Sequence, residues 1–164
     1  IWEELIDILA KLAAQYPIAF IEDALEEEDF EGYAIANQKI NSVIIGDDFL
    51  CTSMDRAKRA VEMGAASGII YKPNQAGTIT ESLETLDYMQ QQGLLVVPSG
   101  RAGGTMDSPE LEIGVAKGCC LFKSGAPRSA SRTAGLNFVI REAEQLGLPP
   151  FDISKLSYFE HLNK

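Results

Sequence analysis

Histidine is almost absent from this sequence, and its scarcity limits the chemistry that the chain can perform. His161 is the only histidine among the 164 residues and lies close to the C-terminal end. Ser-His-Asp and Cys-His arrangements both need a histidine beside the nucleophile. We therefore expect any catalysis by this chain to use carboxylates, lysines or a metal ion.

Cysteine is scarce as well. Cys51, Cys119 and Cys120 form an odd set without the spacing of metal ligands. The adjacent Cys119 and Cys120 would point to opposite faces of a strand, as small apolar residues do. This usage fits a reducing, cytoplasmic setting better than a secreted disulfide framework.

Long apolar runs and a basic N-terminal segment are also missing. No run approaches the roughly 20 residues that cross a bilayer, and the first residues lack the features of a signal peptide. We expect no membrane partner. Because the chain begins at Ile1 rather than at a methionine, we expect an N-terminal part of the same protein to be missing from it.

The charge is unevenly distributed. The net charge is −10, and residues 1–50 hold twelve acidic and two basic residues. The remaining 114 residues hold twelve of each, so the whole excess lies in the first third of the chain. A nucleic-acid backbone would be repelled by such a surface, and we expect no nucleic-acid partner.

The hydrophobic pattern alternates between short apolar runs and stretches with helical spacing. Five runs rich in Val, Ile and Leu predict strands that are buried on both faces: Ile18–Ile21, Val43–Ile45, Ile69–Tyr71, Leu94–Val97 and Cys119–Phe122. Six stretches predict helices: Trp2–Gln15, Leu25–Ile35, Asp55–Gly64, Thr78–Gln92, Ser108–Lys117 and Ser131–Gly147.

This alternation predicts an α/β fold. The strands begin about 25 residues apart, the length of one βα unit, so the pattern indicates five parallel βα units. A Rossmann-like sheet and a (β/α) barrel both fit, but no G-x-G-x-x-G follows the first strand. We assign residues 1–147 to this domain and residues 148–164, which follow its last helix, to a tail that either docks or frays.

Each predicted strand is followed by ionisable residues. These are Glu22-Asp23, Asp47-Asp48, Lys72, Arg101 and Lys123. In a barrel the C-terminal strand ends converge on the face that carries the active site. Two neighbouring carboxylate-bearing strands suit Mg²⁺, and three cationic ones suit a small anionic substrate.

Some of these acids also have a structural interpretation. A carboxylate after a strand often caps the next helix, and Asp23 or Asp48 can serve in that way. The acidic run Glu26–Asp29 is predicted to open a helix as a solvated face, because acids favour the positive end of the helix dipole.

Four stretches carry a family resemblance. Tyr16–Asp23 resembles the Y-P-I-x-x-I-E-D stretch of enolases, and Ile45–Asp48 resembles their V-G-D-D. Lys72–Glu81 is similar to K-V-N-Q-I-G-[ST]-x-T-E, and Phe122–Pro127 to I-K-T-G-A-P. The motifs occur in family order and cover about residues 1–147, so together they identify the chain as resembling the C-terminal barrel of an enolase.

The resemblance implies a partial (β/α)8 TIM-type barrel and phosphopyruvate hydratase chemistry, the glycolytic dehydration of 2-phosphoglycerate. Glu22 and Asp47 would bind Mg²⁺, and Lys72 would remove the proton next to the substrate carboxylate. Lys123 would bind that carboxylate and assist catalysis, and Arg101 would bind the phosphate. The family's third metal ligand and two catalytic glutamates would lie upstream, so this segment alone is not expected to be active.

One loop departs from the family pattern. The family's S-H-R-S-G-E-T-E-D is replaced by Ser99–Asp107, in which Gly100 stands for the histidine, Ala102 for a serine and Gly104 for a glutamate. The sequence therefore allows a second hypothesis, a catalytically weak paralogue that serves as a scaffold subunit, as in sperm and other cilia or flagella. A different acid dehydratase of the same superfamily is a third. As partners we expect a phosphorylated small molecule and either a second copy or a larger assembly.

Overall fold

The computed structural model describes residues 2–149 and 152–163, and its helices and strands alternate as predicted. In chain order the elements are α1 (Trp2–Gln15), β1 (Phe20–Glu22), α2 (Phe30–Lys39), β2 (Val43–Gly46), α3 (Met54–Met63), β3 (Gly68–Tyr71), α4 (Pro73–Ala76), α5 (Ile79–Gln91), β4 (Leu95–Pro98), α6 (Pro109–Ala116), α7 (Ala130–Gln145) and two 3₁₀ segments, Ile153–Lys155 and Ser157–Asn163.

The chain divides into two compact units. The first combines Ile1–Leu95 with Asp152–Lys164, and the second is Val96–Phe151. The strands form one sheet in the order β1-β2-β3-β4, which follows the order of the chain. The pairs β1–β2 and β2–β3 are parallel, as consecutive βα units require. The predicted α/β class is thereby confirmed.

The core of the first unit lies on both faces of the sheet. Every residue of β2 and β3 is buried, whereas β1 is only half-buried. On the helical side α2 contacts both α1 and α3, and α3 contacts α5. The sheet–helix packing explains why the predicted strands are continuous apolar runs rather than alternating ones.

Helix α2 begins later than the sequence predicted. Residues 25–29 form turns, and Asp29 caps the helix by accepting a hydrogen bond from the Gly32 amide at 2.8 Å. The prediction that Glu26–Asp29 opens a helix was therefore wrong, although Glu26, Glu27 and Glu28 are exposed as expected. An aspartate side chain can close a turn or cap a helix, and here the cap determines the start.

The fifth predicted strand is much shorter than expected. Residues 119–122 have no strand partner, and the segment pairs only through a parallel bridge between Ser99 and Lys123. Within residues 2–149 and 152–163, the count of five full βα units is thus corrected to four strands and one bridge. Apolar periodicity cannot tell a strand from a buried extended segment, because only a partner backbone makes the ladder.

The tail docks on the first unit. Phe159, in the second 3₁₀ segment, is fully buried, and the ring of His161 is hydrogen-bonded to the Ile18 carbonyl at 2.9 Å. The choice between docking and fraying is thereby decided for the described part of the tail. The boundary at residue 147 stays a prediction.

Across the described ranges, none of the helices combines the length and the apolar character that a membrane span requires.

Candidate active site

Three of the predicted site residues lie at one edge of the sheet in the first unit. Glu22 ends β1, Asp47 directly follows β2 and Lys72 directly follows β3. Glu22 is paired in register with Ile45, two residues before Asp47. Parallel strands bring their C-terminal ends to the same edge, so these residues follow one another across the sheet.

Asp47 and Lys72 form a buried ion pair. The Lys72 ammonium donates to Asp47 Oδ1 at 2.6 Å and to Oδ2 at 2.5 Å, and the two side chains are 10% and 7% exposed respectively. A buried pair contributes little net stability because both charges lose their hydration, but removing one partner costs about 3–5 kcal/mol. The ion pair therefore adds little net stability to the fold, and it lies at two positions that the sequence motifs predicted as site residues.

Asp23 binds the segment that carries Asp47. Its carboxylate accepts hydrogen bonds from the backbone amides of Asp47 at 2.8 Å and Asp48 at 2.9 Å, with a longer one from Phe49 at 3.5 Å. Asp23 has a φ of 44°, in the left-handed region that L-residues rarely adopt. The expectation that Asp23 or Asp48 caps the following helix was wrong, because Asp29 and Ser53 cap α2 and α3.

Thr52 holds the backbone of Lys72. Its hydroxyl is fully buried and accepts a hydrogen bond from the Lys72 amide at 2.9 Å. The contact joins the segment after β2 to the end of β3. Sequence reasoning missed Thr52, because no pattern distinguishes a threonine that bonds across strands from one that faces solvent.

Glu22 and Asp47 offer the ligand type that Mg²⁺ prefers. Both supply carboxylate oxygens from neighbouring strand ends, and Glu22 is half-buried. Within residues 2–149 and 152–163, no three His, Cys, Asp or Glu side chains are grouped closely enough to hold a metal ion. Mg²⁺ is commonly bound by one or two carboxylates together with waters and substrate, so these two residues fit part of such a site.

The other two predicted residues, Arg101 and Lys123, belong to the second unit. The Lys123 amide donates to the Pro98 carbonyl at 2.9 Å, and its carbonyl accepts from the Gly100 amide at 3.1 Å. These bonds place Lys123 beside the end of β4. Both Arg101 and Lys123 are exposed residues. The structure thus joins Asp47 and Lys72 in direct contact and places Arg101 and Lys123 on neighbouring backbone within their own unit.

In the loop that departs from the family pattern, side chains of other residues occupy the space beside Gly100. A Cβ built there would lie 2.6 Å from Arg132 Nη1 and 2.9 Å from Glu110 Oε1. Burial raises the pKa of Glu110, and the nearby Arg132 charge opposes that rise. Ala102 and Gly104 are exposed. A guanidinium and a carboxyl thus occupy the space next to the position where the family has histidine.

The three thiols are poorly suited to act as nucleophiles. Burial raises the pKa of Cys119 to about 12 and also raises the pKa values of Cys120 and Cys51. A thiol reacts as its thiolate, and burial disfavours that charged form.

The parallel sheet, with Asp47 and Lys72 at its C-terminal strand ends, agrees with part of a (β/α) barrel. Comparison with known families agrees: residues 1–151 match the model of the enolase C-terminal TIM barrel domain. The chain belongs to the enolase family.

Individual relatives show the same affiliation. The chain is 43% identical over 146 residues to an enolase of Methanopyrus kandleri, covering 88% of this chain and 34% of that protein. It is 41% identical over 150 residues to an enolase of Methanococcus maripaludis strain C7, covering 91% and 35%. An enolase of Methanocaldococcus jannaschii is 38% identical over 149 residues, covering 91% and 35%. The chain spans about a third of the length of these relatives.

Proposed function

We propose that the protein carrying this chain is a phosphopyruvate hydratase, which reversibly dehydrates 2-phosphoglycerate to phosphoenolpyruvate in glycolysis with Mg²⁺ as its cofactor. The observation that carries the proposal is the buried Asp47–Lys72 pair at the strand ends. Such a pair adds little to stability, so its presence at an edge where enzymes of this class place their sites favours a chemical role.

Lys72 is the base in this proposal. Its amine takes the proton from the carbon next to the substrate carboxylate, and the bonding electrons move into that carboxylate. Those electrons then return to form the carbon–carbon double bond while hydroxide leaves the next carbon as water, with a proton from an acid outside the described residues. A lysine base acting with Mg²⁺ is known to remove protons of this kind. The carbon acid is weak, so its anion needs concentrated positive charge.

Lys72 must be neutral before it can accept that proton. In the structure both Asp47 carboxylate oxygens accept hydrogen bonds from Lys72 Nζ. The carboxylate oxygens that Asp47 would offer to Mg²⁺ are the same ones that contact Lys72. Asp47 would therefore contact both the metal ion and the base.

Glu22 and Asp47 would hold the Mg²⁺ ion. When bound, the ion supplies positive charge to the substrate carboxylate as negative charge develops there. Carboxylate oxygens at two neighbouring strand ends are the hard ligands that Mg²⁺ takes. Further ligands would come from the substrate, from water or from parts of the protein outside this chain.

Lys123 and Arg101 would bind the two anionic groups of the substrate. Lys123 would neutralise the carboxylate, and Arg101, with its fork of donors, would bind the phosphate. The substrate is thus a small phosphorylated acid. We further propose a cytoplasmic protein that uses neither nucleic acid nor a membrane, that needs its upstream part for activity and that assembles as a homodimer or within a larger complex.

The test is turnover of 2-phosphoglycerate by the full-length protein. We expect turnover that requires Mg²⁺, and we expect Lys72→Arg to lower kcat by about 10²- to 10⁴-fold, the range for loss of a general base. Arginine keeps a cation beside Asp47 but does not deprotonate, so this variant separates base chemistry from the stability of the ion pair. Lys58→Ala, at an exposed position in α3, is the surface control.

Two results would contradict the proposal. An unchanged kcat in a folded Lys72→Arg variant would remove Lys72 as the base. Absence of turnover in the unaltered full-length protein would favour the scaffold hypothesis, in a cilium, a flagellum or another assembly. The departure at Gly100 favours that second candidate, because glycine supplies no imidazole where the family has a histidine.

A further inference from the structure

The segment between β2 and α3 contains two consecutive strained residues. Cys51 has a φ of 48° and Thr52 a φ of 49°, both in the left-handed region. A β-branched residue is a genuine outlier there, and such a conformation is strained. Conformations of this kind persist only where surrounding contacts hold them, and they are concentrated at functional sites.

The Thr52 hydroxyl supplies such contacts. It accepts from the Lys72 amide at 2.9 Å, and its proton is within reach of Gln75 Oε1 at 3.2 Å and of the Ile70 carbonyl at 3.5 Å. Thr52 is completely buried, so its side chain is shielded from bulk solvent. The Thr52 hydroxyl therefore links the strained segment to Lys72 and to Ile70 and Gln75, which lie before and after it in the chain.

The same segment carries the other member of the ion pair. Cys51 and Leu50 donate their amides to the Asp47 carbonyl at 2.7 and 3.2 Å. These contacts form a closed loop of bonded groups. The Asp47 carbonyl accepts from the turn that leads to Thr52, and the Thr52 hydroxyl accepts from the Lys72 amide. The Lys72 side chain in turn donates to the Asp47 carboxylate. Both ends of the lysine are thereby fixed relative to the carboxylate.

We infer that Thr52 is a positioning residue for Lys72. It does not touch substrate; it accepts the Lys72 amide so that the Nζ atom is held at one place beside Asp47 and the substrate carbon. The inference rests on the proposed function for its catalytic consequence, but the positioning itself is a property of the fold. Misplacement of a reacting group by about 1 Å can cost 10²-fold in rate.

A matched set of variants of the full-length protein tests this inference. Thr52→Val keeps the shape and removes the hydroxyl, whereas Thr52→Ser keeps the hydroxyl and removes the methyl group. Thr85→Val is the control, because Thr85 is also buried but its hydroxyl donates within α5, to the Glu81 carbonyl at 3.0 Å. All three are measured for kcat, KM and thermal unfolding.

We expect Thr52→Val to lower kcat by about 10- to 100-fold with KM changed less than about threefold, because binding groups are untouched while the base is misplaced. Thr52→Ser should recover kcat to within about threefold of the unaltered protein. Thr85→Val should change kcat by less than about twofold. A Thr52→Val variant with the kcat of Thr85→Val would overturn the inference.

Nuclear magnetic resonance of Lys72 provides a readout that does not depend on turnover. Thr52→Val should speed hydrogen exchange at the Lys72 amide and shift its ammonium signal, whereas Thr52→Ser and Thr85→Val should leave both unchanged. If the unaltered protein has no turnover, the proposed function fails, and these signals still decide the positioning role. Unchanged Lys72 signals in a folded Thr52→Val variant would refute it.

Discussion

At the scale of single residues, Gly46 shows that the side chains next to the candidate site are closely packed. It is the last residue of β2 and directly precedes Asp47. A Cβ at this position would lie 2.6 Å from Leu50 Cγ and 2.9 Å from Phe49 Cδ1. Both neighbours are fully buried, and the Phe49 ring is stacked on Tyr33 with centroids 3.7 Å apart. Neither side chain has room to move away.

We therefore expect Gly46→Ala to destabilise the protein by about 1–3 kcal/mol, the usual cost of overpacking a filled core. Urea unfolding of the variant measures this cost directly. Gly103→Ala is the matched control, because a Cβ at Gly103 would meet nothing within 4 Å. Equal unfolding midpoints for the two variants would contradict the prediction.

The ion pair at the site illustrates what residue identity alone can and cannot reveal. The motifs around Asp47 and Lys72 predicted that both belong to the site, and the structure shows them in contact. Their support was not predictable in the same way. Asp23 was interpreted as a helix cap, yet its carboxylate binds amides on the neighbouring strand end. The partner of a buried polar group is fixed by strand register, which no local pattern encodes.

At the scale of elements, the docked tail is the feature that the sequence left open. Phe159 lies at 0% exposure in the 3₁₀ segment Ser157–Asn163. His161 and Ser42 both bond to the Ile18 carbonyl, at 2.9 and 3.0 Å, so the tail meets the segment that leads into β1. A short segment with so few residues depends on its one buried ring for attachment.

Phe159→Ala should lower the free energy of unfolding by about 3–5 kcal/mol, as expected for deletion of a buried aromatic ring. Thermal and urea unfolding measure the loss. Glu160→Ala, at the exposed neighbouring position, should change the stability by less than about 0.5 kcal/mol. A Phe159→Ala variant as stable as Glu160→Ala would mean that the tail contributes nothing to the fold.

The elements also show the limits of periodicity. The predicted bounds of α1 agree with the structure, and those of α3 and α5 agree to within one residue, because the side-chain spacing and the caps point to the same positions. Helix α2 begins at Phe30 because Asp29 caps it, and residues 119–122 form no strand because only Lys123 finds a partner. A helix end is set by hydrogen bonds between residues that are close in sequence, whereas a strand needs a partner backbone that is distant in sequence.

At the scale of the whole molecule, the chain supplies two carboxylates that we propose as part of a metal site. Glu22 and Asp47 belong to neighbouring strand ends, and no third acidic, thiol or imidazole group joins them within the described ranges. The chain also spans only about a third of the length of the enolases to which it is similar. Metal binding is accordingly a property that we propose for the full-length protein.

We predict that Asp47→Asn and Glu22→Gln each weaken Mg²⁺ binding to the full-length protein by at least about tenfold, since even loss of an indirect metal contact costs 10- to 100-fold. Isothermal titration calorimetry measures the affinity. Glu22→Gln leaves the Asp47–Lys72 pair intact, so it separates ligand loss from the cost of an unpaired lysine. Asp55→Asn, at an exposed position in α3, is the control.

The isolated 164-residue chain should bind Mg²⁺ more weakly than the full-length protein. It should also show no turnover, because within residues 2–149 and 152–163 no third acidic, thiol or imidazole group joins Glu22 and Asp47 to complete a metal site. Unchanged Mg²⁺ affinity in both ligand variants would remove this site from the proposal.

The sequence by itself determined the α/β class, the order of the elements and the family, because apolar periodicity and motif spacing are properties of the linear chain. It also identified Asp47 and Lys72 through those motifs. Only the tertiary structure decided that these two residues form a buried pair, that Asp23 and Thr52 support it across strands, and that Arg132 and Glu110 fill the space beside Gly100. These contacts join residues that lie 20 or more positions apart or on different elements. Strand register and packing bring these residues together, and neither can be predicted from a single segment of the sequence.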